Sequence, residues 1–215
     1  LAQVTTEQFQ AIKKEGHENS KVMAHLDHLV NRIGPRLTGS DNLTNACEWA
    51  VDTFKSFGIA NAHIEQWGEY AVGFNRGPWW GRMTKPEPME LVCNTDAWTA
   101  GTRMPSRGLL KKSPKNADEL AAMKGQLANS WLLLPPSGAF FRELSAALEA
   151  EGGFGFVGGG TGDLLLTGGN PASSMDKLPT VPFVRVRGDH LKKLRNLVDE
   201  GKEVEVEFDI RNHFK

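Results

Sequence analysis

The stretch Ile33-Gly34-Pro35-Arg36-Leu37-Thr38-Gly39-Ser40 constrains this chain most, because it separates two well-patterned helices that cannot merge into one. Upstream, Met23, Leu26, Val30 and Ile33 recur at helical spacing behind Ser20, whose hydroxyl can accept from open N–H groups. Gly34 supplies a left-handed residue to end that helix, and Pro35 forbids its continuation. Downstream, Ser40 or Asp41 caps a second helix whose apolar face reads Leu43, Ala46, Cys47, Ala50, Val51, Phe54 and Phe57. Gly58 closes it, and Ala62-His63-Ile64-Glu65 reads as a short strand. A still earlier helix starts at Thr5-Thr6-Glu7-Gln8 and runs through Phe9 and Ile12.

After Ile64 the texture changes to glycine and proline, with Trp67, Trp79 and Trp80 set among them. Loops of this kind do not normally carry so much indole. The tryptophans either plug a seam between two domains or line a substrate cleft or partner surface. Met89 to Cys93 reads as a short strand, and Arg107-Gly108-Leu109-Leu110 begins another. A strand-helix rhythm follows. Asn116 opens a short helix ending near Gly125, Trp131-Leu132-Leu133-Leu134 is a buried strand stopped by Pro135-Pro136, and Ser137 to Glu151 is a helix with the stripe Phe140, Phe141, Leu144, Leu148. Gly153 to Val157 is the next strand. Leu178 to Val186 is entered through prolines, so it lies at a sheet edge or begins there. Asp189 caps a helix ended by Gly201, and Val204, Val206, Phe208 and Ile210 alternate with acids to give a half-buried strand with an acidic outer face.

The fold class is therefore α+β, with N-terminal helices followed by a β-rich part with flanking helices. At 215 residues the chain can bury one core or one and a half domains. A net charge of −1 gives no field that argues for nucleic acid or an anionic membrane, and no apolar run approaches the roughly 20 residues of a membrane span. Cys47 and Cys93 read as core residues, not as a disulfide framework. The basic cluster Lys192, Lys193, Arg195 reads as a solvated helix face.

The order helix, Gly-Pro-Arg-x-x-Gly-Ser, long amphipathic helix, Gly, short strand resembles the N-terminus of secreted zinc-dependent exopeptidases, the branch of aminopeptidases and plasma-glutamate-carboxypeptidase-like enzymes. The block from Thr95 to Ile210, with Leu-Pro-Thr-Val-Pro, a helix, then Gly-Lys-Glu-Val-Glu-Val-Glu-Phe, resembles a protease-associated domain. The resemblance implies three parts: residues 1–94 as the helices and first strands of a peptidase domain, 95–210 as an inserted protease-associated lid, and 211–215 as the start of the return to a catalytic domain.

The family's catalysis uses two zinc ions held by a His-x-Asp, a bridging Asp, a Glu-Glu pair, a further acid and a last His, all following the lid. This sequence holds no Glu-Glu dipeptide and ends five residues after the lid's returning strand. The expectation is an N-terminal portion with no catalytic residue and no metal ligand of its own. Zinc would belong to the parent enzyme, and the partners would be its own C-terminal catalytic domain and, through the parent, a peptide substrate. A secreted or periplasmic location follows only from the resemblance.

His25-Leu26-Asp27 copies the His-x-Asp spelling, but on a helix only His25 and His28 share a face. Two histidines do not make the three or more converging ligands of a catalytic zinc. Gly153-x-Gly155-x-x-Gly158 spells a dinucleotide fingerprint in the wrong context, with a helix before it and a strand through it. Asn42-Leu43-Thr44 lies in a helix's first turn, where capping accounts for it. Arg36, Trp79 and Trp80 are left as candidate substrate or interdomain contacts. Two other readings compete: a freestanding protease-associated-type module that binds peptides or proteins, and a small metal-dependent hydrolase built on His25 and His28.

Overall fold

The structure, a computed structural model, describes residues 4–134, 140–160 and 162–215. The chain divides into two compact units after Gly68.

The first unit is helical. Helix α1 (Thr6–Glu18) opens on a capping box: the Gln8 N–H donates to Thr5 Oγ1 at 3.2 Å, and the Thr5 N–H to Gln8 Oε1 at 2.9 Å. Helix α2 (Val22–Asp27) begins after Lys21, and Ser20 Oγ accepts only a long bond from Val22. Its continuation, His28–Ile33, is wound more widely, with bonds to the fifth residue back. That change of pitch has no signature in the periodicity. Gly34 ends it at φ 85°, a conformation that asks for glycine. Helix α3 (Asp41–Ser56) is capped by Ser40, whose Oγ accepts from the Leu43 N–H at 3.2 Å. The expected strand at 62–65 is absent. The segment lies outside any regular element, because no strand pairs with its backbone.

The second unit is a mixed sheet of eight strands that curls until its ends approach. Beside it a two-stranded ribbon pairs β1 (Phe74–Asn75) with β10 (His213–Phe214). The sheet contains β2 (Trp79–Lys85), β3 (Met89–Glu90), β4 (Cys93–Thr95), β5 (Ser106–Lys111), β6 (Ser130–Leu133), β7 (Gly155–Gly158), β8 (Phe183–Val186) and β9 (Glu205–Ile210), in the order β3-β2-β9-β5-β6-β7-β8-β4. Strands β5 to β8 run parallel, and β9 joins β2 to β5 antiparallel. Residues 79–90, which the expected division at 94/95 groups with the helices, are thus bonded into this sheet. The stretch from Met89 to Cys93 is not one strand. It breaks into β3 and β4, at opposite ends of the strand order, and the Leu91 N–H donating to Gly81 O at 2.9 Å draws those ends together.

Strands β6 and β7 are buried on both faces, which is why Trp131-Leu132-Leu133 reads as a continuous apolar run. Trp131, Leu133 and Val157 pack with Leu191 and Leu194 of helix α6, Gly188–Asp199. Leu132 and Phe156 face the other way, onto Leu144 and Leu148 of helix α5, Phe141–Ala150. A further short helix, α4 (Ala117–Ala122), is capped by Asn116; by length and order it precedes these two. The expected start of the α5 helix at Ser137 and the stop at Pro135-Pro136 lie outside the described residues. Pro179 and Pro182 precede β8, which begins at Phe183 as the prolines require. Asp189 is not the cap of α6. The helix starts at Gly188, and Asp189 sits in its first turn, accepting from the His190 N–H at 2.8 Å. The acidic face of β9 is also not simply solvated: Glu207 is buried.

Candidate functional site

Arg36 closes the widely wound turn. Its Nη1 donates to the carbonyls of Leu29 and of Gly34, the latter at 2.8 Å, and so places a cation at the helix's C-terminal end. This local use explains an arginine two residues after Gly34. Arg36→Ala is expected to cost about 1 kcal/mol locally and to speed exchange of the Gly34 amide, which bonds Leu29 O at 3.1 Å. Amide exchange by NMR reads it; an unchanged Gly34 amide would leave Arg36 free for another role.

Trp79 and Trp80 follow one another on β2 and therefore lie on opposite faces of the sheet, opposite Ile210 and Asp209 of β9. The Trp79 indole N–H donates to Cys93 O at 2.7 Å, tying the first sheet strands to the last. Arg76 lies over both Phe74 and Trp79, at 5.7 and 5.9 Å from the ring centroids. Its Nη1 donates to Asn94 Oδ1 at 2.6 Å and to Thr95 Oγ1 at 2.9 Å, both neutral acceptors. Burial pulls the Arg76 guanidinium below its usual range, with the charge of Asp96 opposing.

On the other face Arg82 covers Trp80 at 5.2 Å and donates through Nε to Glu207 Oε2 at 2.8 Å. Arg107 reaches the same oxygen at 3.4 Å. Burial pushes the Glu207 carboxyl up, but the hydrogen bond from Arg82 and the charges of Arg82 and Arg107 outweigh it and hold it below the ordinary value. Trp79 and Trp80 each stay more than a third exposed. Trp79 and Trp80 thus centre two aromatic-cation patches on one strand of the second unit.

The thiol of Cys93 offers no nucleophile, since burial first and then the charge of Glu90 push it up to about 12. Among the described residues no three His, Cys, Asp or Glu side chains converge to hold a metal. His28 stacks on Trp49 at 4.7 Å and His25 meets the same indole edge-on at 5.6 Å, so both imidazoles are engaged with a ring. Neither histidine is joined by a third such ligand among the described residues. The first unit does hold a groove of about 580 Å³, lined by Cys47, Ala50, Val51 and Phe54 of α3 and by Ile59 and Ile64 beyond it. Among the described residues no helix is long and apolar enough to cross a membrane.

No protein-family model matches the chain, and no curated protein matches it by sequence. Solved structures do match by fold. One is a peptidase M28 precursor from Shewanella amazonensis SB2B, at a TM-score of 0.54 and 14% identity, over 96% of this chain and 50% of that one. Another is an aminopeptidase from Aneurinibacillus sp. strain AM-1, at 0.51 and 15%, over 89% of this chain and 45% of that one. The chain therefore spans about half the length of the solved structures it matches. At these identities the likeness is one of fold: this α+β chain shares the fold of a half-length portion of those two peptidases.

Proposed function

We propose that this chain is the substrate-access segment of a zinc-dependent exopeptidase: opening helices plus a protease-associated lid, without hydrolytic activity of its own. The resemblance puts the lid at about 95–210; because β2 and β3 are bonded into the same sheet, the inserted unit would extend to the β1–β10 ribbon. A catalytic domain encoded beyond Lys215 would supply the zinc ligands, the general base and the cleft, and the parent would act on peptide ends in a secreted or periplasmic setting. Narrowing that cleft so that only a chain terminus fits would be the lid's contribution.

The observation that carries this reading is the uncovered apolar face of the helical unit. Met23 is 70% exposed, and Leu26, Val30, Phe54 and Phe57 are each about half exposed, beside the groove on α3. Burying such side chains is worth about 1.5–3 kcal/mol each, so a surface of this kind calls for a cover. Supporting it is the β1–β10 ribbon, in which Phe74 pairs with Phe214 and the Gly73 N–H bonds Lys215 O at 2.7 Å. Chain entering and leaving the second unit side by side is what an inserted domain needs.

The test is activity. The purified chain with added zinc is expected to leave aminoacyl and dipeptide reporters intact. Cleavage that a chelator abolishes and that survives further purification would overturn the proposal. The coding sequence after Lys215 is expected to show His-x-Asp after a strand and then Glu-Glu within about a hundred residues. An immediate stop codon would favour the freestanding binding module instead.

A further inference from the structure

The second unit contains a cavity of about 570 Å³, within the range of small-ligand sites. Its floor is apolar: Trp98 and Val181 are buried, Phe141 and Phe183 half-buried. Trp98 holds a left-handed φ of 53°, an outlier for a bulky residue, and is fixed by its indole N–H donating to Val72 O at 2.9 Å. Strain of this kind, about 1–3 kcal/mol, persists where the surroundings over-determine it, as at ligand sites. The rim is polar, with Ser145 on α5 and Asn170, Ser173 and Lys177 on the segment before β8.

The charges decide what fits. Asp96 is the one carboxylate among the described lining residues, and Arg185 neutralises it: Nε donates to Oδ1 at 2.6 Å and Nη2 to Oδ2 at 2.8 Å. Lys177 makes no ion pair among the described residues; its Nζ donates to Ser173 Oγ at 3.1 Å. The cavity therefore offers an aromatic floor and one uncompensated cation. A peptide N-terminus would bring a like charge to Lys177, and an internal segment would bring none. We propose that this cavity binds the C-terminal residue of a peptide, with an apolar side chain on the aromatic floor and the terminal carboxylate at Lys177. The site lies within the second unit; the choice of a peptide as ligand rests on the exopeptidase reading, whose own test, hydrolysis of reporters, is separate from the binding measured below.

The full 215-residue chain, labelled with ¹⁵N, would be titrated with N-acetyl-Ala-Phe as free acid and as amide. The expected result is saturable shifts of the Trp98 indole and the Thr99, Ser145 and Lys177 amides. The amide should bind about tenfold more weakly, the loss of one charge-assisted contact at an open rim. Lys177→Gln should lower affinity for the acid to that of the amide and leave the amide unchanged, and Ser145→Trp should block both. Equal binding of acid and amide would overturn the proposal. So would indifference to Lys177→Gln, shifts confined to another face, or no saturation up to about 10 mM, where a site with a Kd near 1 mM is filled.

Discussion

Trp131→Ala is expected to destabilise the second unit by about 4 kcal/mol, within the range for emptying a large aromatic position in a core. Trp131 is fully buried on β6, and its ring meets Phe208 of β9 edge-on at 4.8 Å and Phe154 at 5.9 Å. Its indole N–H donates to Ser106 O at 3.0 Å, so the truncation also removes a buried hydrogen bond. The residue thus joins the parallel half of the sheet to the antiparallel half, and little backbone freedom exists to collapse the void. Urea denaturation followed by circular dichroism measures the loss; against a typical stability of 5–15 kcal/mol it leaves a marginal fold. Trp131→Phe keeps most of the ring and should cost about half as much. A loss below about 1 kcal/mol for the alanine variant would mean that the centre of this core lies elsewhere.

That core was legible in advance because its signal is local. Trp131-Leu132-Leu133 can only be a strand covered on both sides, and the stripe Leu144, Leu148 supplies one cover. Caps at Thr5, Ser40 and Asn116 were legible for the same reason, since each side chain bonds an amide three residues on. Glu207 was not. Alternation along β9 assigns every second residue to solvent, yet the arginines that let Glu207 be buried come from 125 and 100 residues earlier. The strand at 62–65 failed in the opposite sense: the pattern was present, but a strand is a property of two segments. Of the candidate site residues, Arg36 resolves into a cap that the sequence could have suggested, because it lies within reach of the carbonyls it serves. The indoles of Trp79 and Trp80 were visible as unusual; Arg82 shares the face of Trp80 two residues along β2, while Arg76 precedes the strand and meets Trp79 only through the path of the loop. The cavity over Trp98 had no signal in the sequence, since its walls come from three separated segments and its strained φ is set by packing.

Gly77→Ala is expected to be as disruptive as emptying the core, although Gly77 contributes no buried side chain. A Cβ there would stand 1.7 Å from the carbonyl oxygen of Arg211 and 2.6 Å from its carbon. Both are backbone, so no rotamer change relieves the clash; one of the two chains must move. The chains concerned are the two that run side by side between the ribbon and the sheet, where the Arg211 N–H donates to Pro78 O at 3.0 Å and Trp79 pairs with Ile210. Overpacking of this severity costs about 3 kcal/mol, and it should be spent locally. Exchange at the Gly73 and Lys215 amides, each bonded to the other's carbonyl, should quicken about a hundredfold, while β6 and β7 keep most of their protection. Gly160→Ala is the control, since a Cβ there meets open space. The experiment bears on the proposed lid as well as on stability, because the ribbon is the feature that would let the second unit leave and rejoin a parent domain at one point. If both amides stay protected in Gly77→Ala, the close approach does not hold the ribbon, and the tether ascribed to the lid needs another source.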